Sequence, residues 1–269
     1  MSKIINQTYE LILGKYRSVI ESLFVSDVRI GMLLTAVRLS DGAIGTSATL
    51  TDSRPASEKA GRDFGDFSPL KIKGQNVLKI LETKKESSVI MSLRMAVLSA
   101  VSSGFITPER YRIIENCDPV ELLDLSPGKT ITIVGAFQSY IRKISQTPNK
   151  LFVLELNEKA LTPEQRQYYV PAGDFRKVLP QSDFVIITGQ TLVNRTIDDL
   201  LTAVSPASKV IVTGPSGNIL PDVLFENKVS MIGAIRVTDP EKLFEIAGQG
   251  GTGFHLFEYC ARKICILRK

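Results

Sequence analysis

The second half of the chain alternates between short apolar runs and helix-like segments, and this alternation constrains the fold more than any other feature. After residue 120, apolar β-branched runs occur at 130–134, 151–156, 183–188, 209–213, 229–235 and 263–267. Segments with helical character separate most of them, near 137–145, from Thr162, near 196–204 and from Asp239. Continuous apolar strands between helices are typical of a parallel sheet that is covered on both faces. The sequence therefore predicts an α/β fold with a Rossmann-like, doubly wound, mostly parallel sheet over residues 121–269.

Residues 1–120 show a different pattern. An apolar stripe with helical spacing covers residues 3–24, and β-rich runs follow at 28–34, 35–39 and 43–50. Asp41-Gly42 separates the last two runs and predicts a hairpin, because such turns need residues that tolerate positive φ. A polar loop over 51–76 precedes predicted helices at 76–83 and 87–103, and Thr107-Pro108 and Asp118-Pro119 predict further helix starts. We therefore expect a separate α+β domain over residues 1–120.

Composition and charge argue against several classes of protein. A net charge of +5 and a short lysine cluster over residues 71–85 do not predict nucleic-acid binding. No apolar stretch approaches the roughly 20 residues that cross a bilayer, so no membrane segment is expected. The first residues lack the pattern of a signal peptide, which favours a cytoplasmic location. With one histidine, three cysteines and no Cys-x-x-Cys pair, the chain is not expected to hold a structural transition-metal site.

A glycine turn marks the start of a candidate ligand site. Gly135 directly follows the run at 130–134, and Glu155 ends the next run, about twenty residues later. This is how a Rossmann-type half binds a nucleotide-like ligand, with the acid on a ribose-like diol. Gly135 is the one glycine of the three-glycine fingerprint that is present, so the pattern names no cofactor. Gly135 as a simple tight turn and Glu155 as a solvated strand end stay open alternatives.

Four segments that follow predicted strands have residue types suited to ligand contact. In a parallel sheet they converge at one edge, which predicts a composite pocket. Its walls would be Gly135 and Phe137; Thr188, Gly189, Asn194 and Thr196; Gly214, Pro215 and Ser216; and Gly250, Gly251 and Gly253. Each segment taken singly is equally compatible with a structural role, and Asn194 or Thr196 could cap the next helix.

Other side chains would complete this pocket. Thr46, Thr49 and Arg54 of the first domain are expected to close it. Phe137 offers a stacking face for a planar ligand, and Glu155 or His255 is the candidate proton-transfer group. His255 is equally well explained as a half-buried structural residue.

Several of these segments together resemble a known family. The runs 182–189, 194–197 and 214–216, with Gly233-Ala234, Val237-Thr238-Asp239 and the 248–253 loop, are similar to bacterial and archaeal proteins of the putative heavy-metal chelation family. Ile30-Gly31, Thr35-Ala36-Val37 and 41–45 resemble the small domain that precedes it. The resemblance implies an enolase-N-terminal-like domain, then a Rossmann-like domain partly similar to methyltransferases. It also implies a site where the two meet, in a protein that makes a metal-chelating, pterin-, flavin- or siderophore-like molecule by condensation or hydrolysis.

Three functions remain open from the sequence. The first is an enzyme acting on a small heterocyclic molecule or a metal-chelator precursor. The second is a non-catalytic carrier of a metal–chelate complex, favoured by the shortage of an evident nucleophile. The third is an S-adenosylmethionine-dependent methyltransferase-like protein or a dehydrogenase, although the missing glycines argue against a nicotinamide cofactor. A homodimer is compatible with the sequence, since a small antiparallel meander leaves edges to cover.

Overall fold

The computed structural model describes residues 2–50 and 65–269. An N-terminal α+β region begins with helix α1 (Lys3–Ile20), whose Ser2 side chain caps it by accepting from the Ile5 N–H. Strands β1 (Val25–Ile30), β2 (Leu34–Leu39) and β3 (Ile44–Ala48) then form an antiparallel sheet in the order β1-β2-β3. Gly42, with φ +88°, sits in the β2–β3 turn as the Asp-Gly pattern predicts.

Two helices complete this region, α2 (Val77–Glu82) and α3 (Ser88–Ser103). Helix α3 is buried on almost all sides, and its polar residues Ser92, Arg94, Ser99 and Ser102 are buried together with its apolar ones. It approaches β3 closely, since a Cβ on Gly45 would lie 2.1 Å from the Ala96 carbonyl oxygen. Side chains of α3 and of the large sheet share one hydrophobic cluster, which includes Leu93, Val97, Val185 and Ile187. The two parts of the chain are therefore joined by a common core.

The large sheet has eight strands. They are β4 (Tyr111–Glu115), β5 (Thr130–Val134), β6 (Lys150–Glu155), β7 (Tyr169–Pro171), β8 (Phe184–Thr188), β9 (Lys209–Thr213), β10 (Val229–Val237) and β11 (Ala261–Arg268). Their spatial order is β4-β11-β10-β9-β8-β5-β6-β7. The six strands from β10 to β7 are parallel, whereas β11 pairs antiparallel with β10 and β4 antiparallel with β11.

Helices cover this sheet on both faces. They are α4 (Gln138–Ser145), α5 (Phe175–Val178), α6 (Gln190–Val193), α7 (Ile197–Ala203), α8 (Pro221–Glu226), α9 (Pro240–Gly248) and α10 (Gly253–Tyr259). A second hydrophobic cluster, with Ile141 and Ile144 of α4 against Ile133 of β5, lies on the face opposite α3. Each fully buried side chain of this size stabilises the fold by about 1.5–3 kcal/mol. The predicted α/β class, an N-terminal α+β region followed by a mostly parallel sheet, is confirmed.

Local departures from the predicted elements have identifiable causes. The predicted helix start at Thr107 is wrong: its carbonyl accepts the Arg110 and Tyr111 N–H groups in a turn, because residues 111–115 pair with β11 instead. Asp118 does cap a 3₁₀ helix, Pro119–Leu122. Strand β7 is short and follows another 3₁₀ helix, Pro163–Tyr168, so no apolar run in the sequence marks it. Because β4 precedes residue 120 yet joins the large sheet, the domain boundary stays a prediction.

Among the described residues, the helices are all too short or too polar to cross a membrane.

Candidate functional site

One cavity lies where the strand order of the large sheet reverses. The chain runs outward from β5 through β6 to β7, then returns to the other side of β5 to form β8, β9 and β10. Loops leaving neighbouring strands diverge at such a switch point and open a crevice beyond the carboxyl ends of the strands. A cavity of about 380 Å³ occupies this position. Its volume is within the range of small-molecule sites.

The cavity has an apolar wall and a polar wall. Apolar side chains come from the turn after β5, the end of β6 and helix α5, and neutral polar side chains come from the segment after β8. Two carboxylates, Glu155 and Asp199, contribute to the lining. The lining includes Gly135, Phe137, Glu155, Leu156, Phe175, Thr188, Gln190, Asn194, Thr196 and Asp199.

Gly135 is required by the geometry of the first turn. Its φ is +103°, and a Cβ there would lie 3.2 Å from the Thr188 Cγ2 atom. A side chain would therefore be strained and would press against the opposite wall. The glycine brings the ends of β5 and β8 together at the cavity.

Aromatic residues occupy the other two glycine positions of a dinucleotide-binding turn, which are the third and sixth counted from the first. Counted from Gly135, these are Phe137 and Tyr140. Their rings stack with centroids 5.3 Å apart, and the buried Tyr140 hydroxyl donates to Asp118. Burial, and then this hydrogen bond, raise the pKa of Tyr140 well above its usual value. The Phe137 ring thus stands where backbone would approach a pyrophosphate.

Glu155 is held in a fixed orientation at the end of β6. Its Oε1 accepts hydrogen bonds from the backbone N–H groups of Leu156, at 2.7 Å, and Asn157, at 3.1 Å. Within the described part of the chain, no hydrogen bond to Oε2 is made. One carboxylate oxygen thus anchors the side chain and the other can receive a donor from a ligand.

The segment after β8 presents Asn194 and Thr196 to the same cavity. The Asn194 Oδ1 atom accepts from the Thr196 hydroxyl, at 2.7 Å, and from its N–H, at 3.2 Å. Thr196 precedes α7 without a capping side-chain bond, so neither residue caps that helix in the predicted way. Arg195, between them, has φ +65° and points away to Glu86. The turn therefore directs Asn194 and Thr196 to the cavity and Arg195 away from it.

A second cavity of about 180 Å³ adjoins the first, sharing Thr188 and Gln190 with it. It lies between the large sheet and the N-terminal region, and its walls include Leu33, Leu34 and Ala48. The sequence-predicted residues Gly189, Gly214, Pro215, Ser216 and Gly253 all line it. The four post-strand segments thus meet around two cavities, rather than one.

The turn after β9 is bonded to the N-terminal region. Gly214 begins it with φ +112°. The Thr46 hydroxyl donates to the Pro215 carbonyl at 3.0 Å, and the Ser216 Oγ accepts from the Ala48 N–H at 2.7 Å. Thr46 and Ser216 are both buried. Their polar atoms therefore join the two parts of the chain at this cavity.

The glycine-rich loop before α10 has mixed roles. Gly250, with φ +78°, follows the end of α9, and the Gly251 N–H donates to the Ile246 carbonyl at 2.9 Å. These two glycines close α9 and line neither cavity. Thr252 and Gly253 do reach the second cavity.

His255 lies in the first turn of α10 and is exposed. Its Nδ1 is 3.1 Å from both the backbone nitrogen and the hydroxyl of Thr252, so the ring accepts the Thr252 N–H in a capping arrangement. It lines neither cavity. The structure thus accounts for His255 as a helix cap, and its catalytic role stays a prediction.

Of the first-domain residues expected to close the pocket, neither Thr46 nor Thr49 lines either of the two cavities. Thr49 bonds the Thr35 hydroxyl at 2.9 Å. Arg54 lies outside the described residues. Conversely, sequence reasoning missed Phe175, Gln190 and Asp199 as lining residues. Gln190 directly follows a predicted segment and could have been included, whereas Phe175 and Asp199 carry no local signal.

Across residues 2–50 and 65–269, no group of three His, Cys, Asp or Glu side chains converges in a way that could hold a metal ion.

Comparisons with known proteins agree with this architecture. The family DUF364, described as "Putative heavy-metal chelation", matches residues 118–266, and DUF4213, with the same description, matches residues 15–102. A DUF364 protein of unknown function from Pyrococcus horikoshii is similar in structure, with a TM-score of 0.78 and 23% identity, over 100% of this chain and 99% of the other.

A second DUF364 structure, from Desulfitobacterium hafniense DCB-2, has a TM-score of 0.70 and 18% identity, over 98% of this chain and 99% of the other. At these identities the similarity shows the fold alone. A search of curated proteins gave no significant match. Because the family match covers more than half of the 269 residues, this chain belongs to the DUF364 family, which is described as "Putative heavy-metal chelation".

Proposed function

We propose that the chain binds a small organic molecule with a planar ring, of the kind that makes up or builds a metal chelator, in the 380 Å³ cavity. The observation that carries this proposal is the pairing of an aromatic wall, Phe137, with a fixed carboxylate, Glu155, on the same cavity. A planar heterocycle gains contact area against the ring, and its N–H or O–H groups can donate to the free carboxylate oxygen.

The charge distribution supports an organic ligand rather than a bare metal ion. Glu155 already accepts two backbone hydrogen bonds through one oxygen, and Asp199 lies 3.8 Å from the Arg176 guanidinium. The polar side chains of Thr188, Gln190, Asn194 and Thr196, which also line the cavity, are neutral. Metal would thus reach this site inside a chelator, in keeping with the family description.

Pterin- and flavin-like rings fit these features best among the chelator-related molecules. Both are planar and carry ring N–H donors that match a carboxylate acceptor. Condensation or hydrolysis of such a molecule would use Glu155 as the proton-transfer group, because backbone hydrogen bonds fix one of its oxygens and leave the other to a ligand, whereas the Asp199 carboxylate lies beside the Arg176 guanidinium. A carrier would use the same contacts without turnover.

A ligand bearing a nucleoside, such as S-adenosylmethionine, is the second candidate. Glu155 ends the strand beside β5, which is where the ribose-binding acid of a Rossmann-type site stands. Phe137 replaces the glycine that lets backbone approach a pyrophosphate, so a nucleoside without phosphates suits this turn better than a dinucleotide.

Calorimetric titration of the purified chain with a pterin, a flavin and S-adenosylmethionine tests these alternatives. We expect one of the first two to bind, and Glu155→Gln to weaken that binding at least about tenfold, since a charged acceptor is lost while the size is kept. Glu158→Gln, three residues away and exposed, is the matched control and should bind like the parent.

Equal affinity in Glu155→Gln and the parent would contradict the proposed role of this carboxylate. Binding of S-adenosylmethionine in preference to both heterocycles would favour the second candidate. Mass spectrometry of the recovered heterocycle separates enzyme from carrier, because a changed mass requires turnover.

A further inference from the structure

Helix α3 carries a buried arginine that forms no ion pair within the described residues. Arg94 is 5% exposed, and its Nη2 donates to the carbonyl oxygens of Thr83 and Lys85. Its Nε is buried and has no hydrogen-bond partner within the described residues. Carbonyl groups carry no net charge, so the guanidinium is solvated only in part. Burying a cation in this way is costly unless an anion lies nearby.

A second arginine lies beside it. Arg195 donates from Nη1 to the Glu86 carboxylate at 2.9 Å, while its Nη2 is also buried without a partner in the described chain. Burial, and then the charge of Arg195, lower the pKa of Arg94. Arginine nevertheless remains protonated in proteins. Two guanidinium charges therefore share one carboxylate, and Glu86 has 62% of its side chain exposed to solvent.

Both arginines line a single small cavity of about 20 Å³, together with Ser2, Ile5, Met91 and Leu192. About 10–15 Å³ of such space accommodates one water-sized particle. The nearby carboxylate of Asp198 already accepts from the Lys3 and Ile4 N–H groups. The cavity thus combines single-atom size, apolar walls and two cations with unused donors.

We propose that this cavity, between Arg94 and Arg195, binds one monatomic anion of chloride size. A water molecule would accept from the two donors but would leave the buried positive charge uncompensated. An anion accepts from the same donors and also compensates the charge. Arg195 has φ +65°, which is unfavourable for a residue with a side chain. A bound anion helps hold this residue, and with it the turn that carries Asn194 and Thr196.

Support for this anion does not rest on the function proposed for the 380 Å³ cavity. Crystals grown in sodium bromide test it directly, since bromide replaces chloride and scatters anomalously. We expect one anomalous peak within hydrogen-bond distance of both guanidinium groups in the parent chain, and no such peak in Arg94→Met. Absence of the peak in the parent would overturn the proposal.

Thermal unfolding provides the solution test, in sodium chloride against sodium gluconate at equal ionic strength. A stabilising free energy of about 1 kcal/mol corresponds to a midpoint shift of about 2–4 °C for a chain of this size, and binding should raise the midpoint by that amount. Arg94→Met and Arg195→Met should lose the chloride dependence. Arg142→Met, at an exposed position in α4, should keep it.

Equal chloride dependence in the parent and both variants would show that the ion acts elsewhere. If Arg94→Met does not fold, Arg195→Met and the bromide experiment on the parent still decide the question. A bromide peak without any chloride effect on the midpoint would mark an adventitious ion and would also overturn the proposal.

Discussion

Two turns of the large sheet begin in the same way and end in different roles. Gly135 follows β5 and Gly214 follows β9, each after a buried parallel strand and each with positive φ, +103° and +112°. The first turn opens onto the larger cavity, where Glu155 keeps a free carboxylate oxygen. The second turn is bonded to β3 by Thr46 and Ser216.

The difference lies in what covers each strand end. The N-terminal region reaches the loop after β9, and its backbone and side chains use the polar groups of that loop. At β5 the cavity walls come from the large sheet and its own loops. A glycine after a strand therefore indicates a tight turn, and only the surrounding contacts decide whether the turn faces a ligand or another part of the protein.

The largest effect is expected at the loop after β8, the strand that lies between β5 and β9. Gly189 begins this loop, and a Cβ there would be 2.4 Å from the Gly217 backbone nitrogen. Since backbone must move to admit the methyl group, we expect Gly189→Ala to destabilise the chain by roughly 3 kcal/mol. Urea unfolding measures this loss. Gly173→Ala, which meets no atom within 4 Å, is the control and should stay within about 0.5 kcal/mol of the parent.

An unchanged unfolding free energy in Gly189→Ala would mean that the loops after β8 and β9 are not in close backbone contact in solution.

Ser216→Ala sharpens the comparison by removing a bond of the second turn. The half-buried Ala48 N–H would lose its acceptor, so we expect a loss of about 1 kcal/mol in the free energy of unfolding. Ser216→Ala should lower the affinity for the ring-bearing ligand less than Glu155→Gln does. Glu155→Gln, in turn, should affect ligand binding more than the free energy of unfolding. If Ser216→Ala weakens binding as much as Glu155→Gln, the second turn contacts the ligand as well.

A smaller effect is expected from the thiol of Cys260, which lies at the end of α10 and is buried. Burial, and then the negative charge of Asp239, raise the pKa of this thiol to about 11. An unfolded cysteine titrates near 8.5. The folded state therefore favours the protonated thiol, and this stabilisation is complete below about pH 8.5 and is lost as the pH rises toward 11.

We expect Cys260→Ala to lose less stability than the parent between pH 8 and pH 10, as measured by urea unfolding at each pH. Identical pH profiles of the two chains would show that Cys260 does not titrate differently in the folded state.

Much of the fold was predictable because its signals are local. The apolar runs that became β5, β6, β8, β9, β10 and β11 were recognisable from their composition, as was the hairpin at Gly42. Strand β4 was not, because its pairing with β11 joins residues about 150 positions apart in sequence. The candidate site divides in the same way. Gly135, Phe137 and Glu155 lie at or just after the ends of strands, whereas Phe175 and Asp199 reach the cavity from helices.

The amino-acid sequence by itself determined the α/β class, the strand ends at which a ligand could bind and the residues unsuited to close packing there. Periodicity and turn preferences act over a few residues, so they can be read without the rest of the chain. The tertiary structure alone decided that Thr46 and Ser216 join two regions, that His255 caps a helix and that Arg94 and Arg195 share one cavity. Those outcomes depend on contacts between distant segments, and no local pattern specifies which polar atoms such contacts will use.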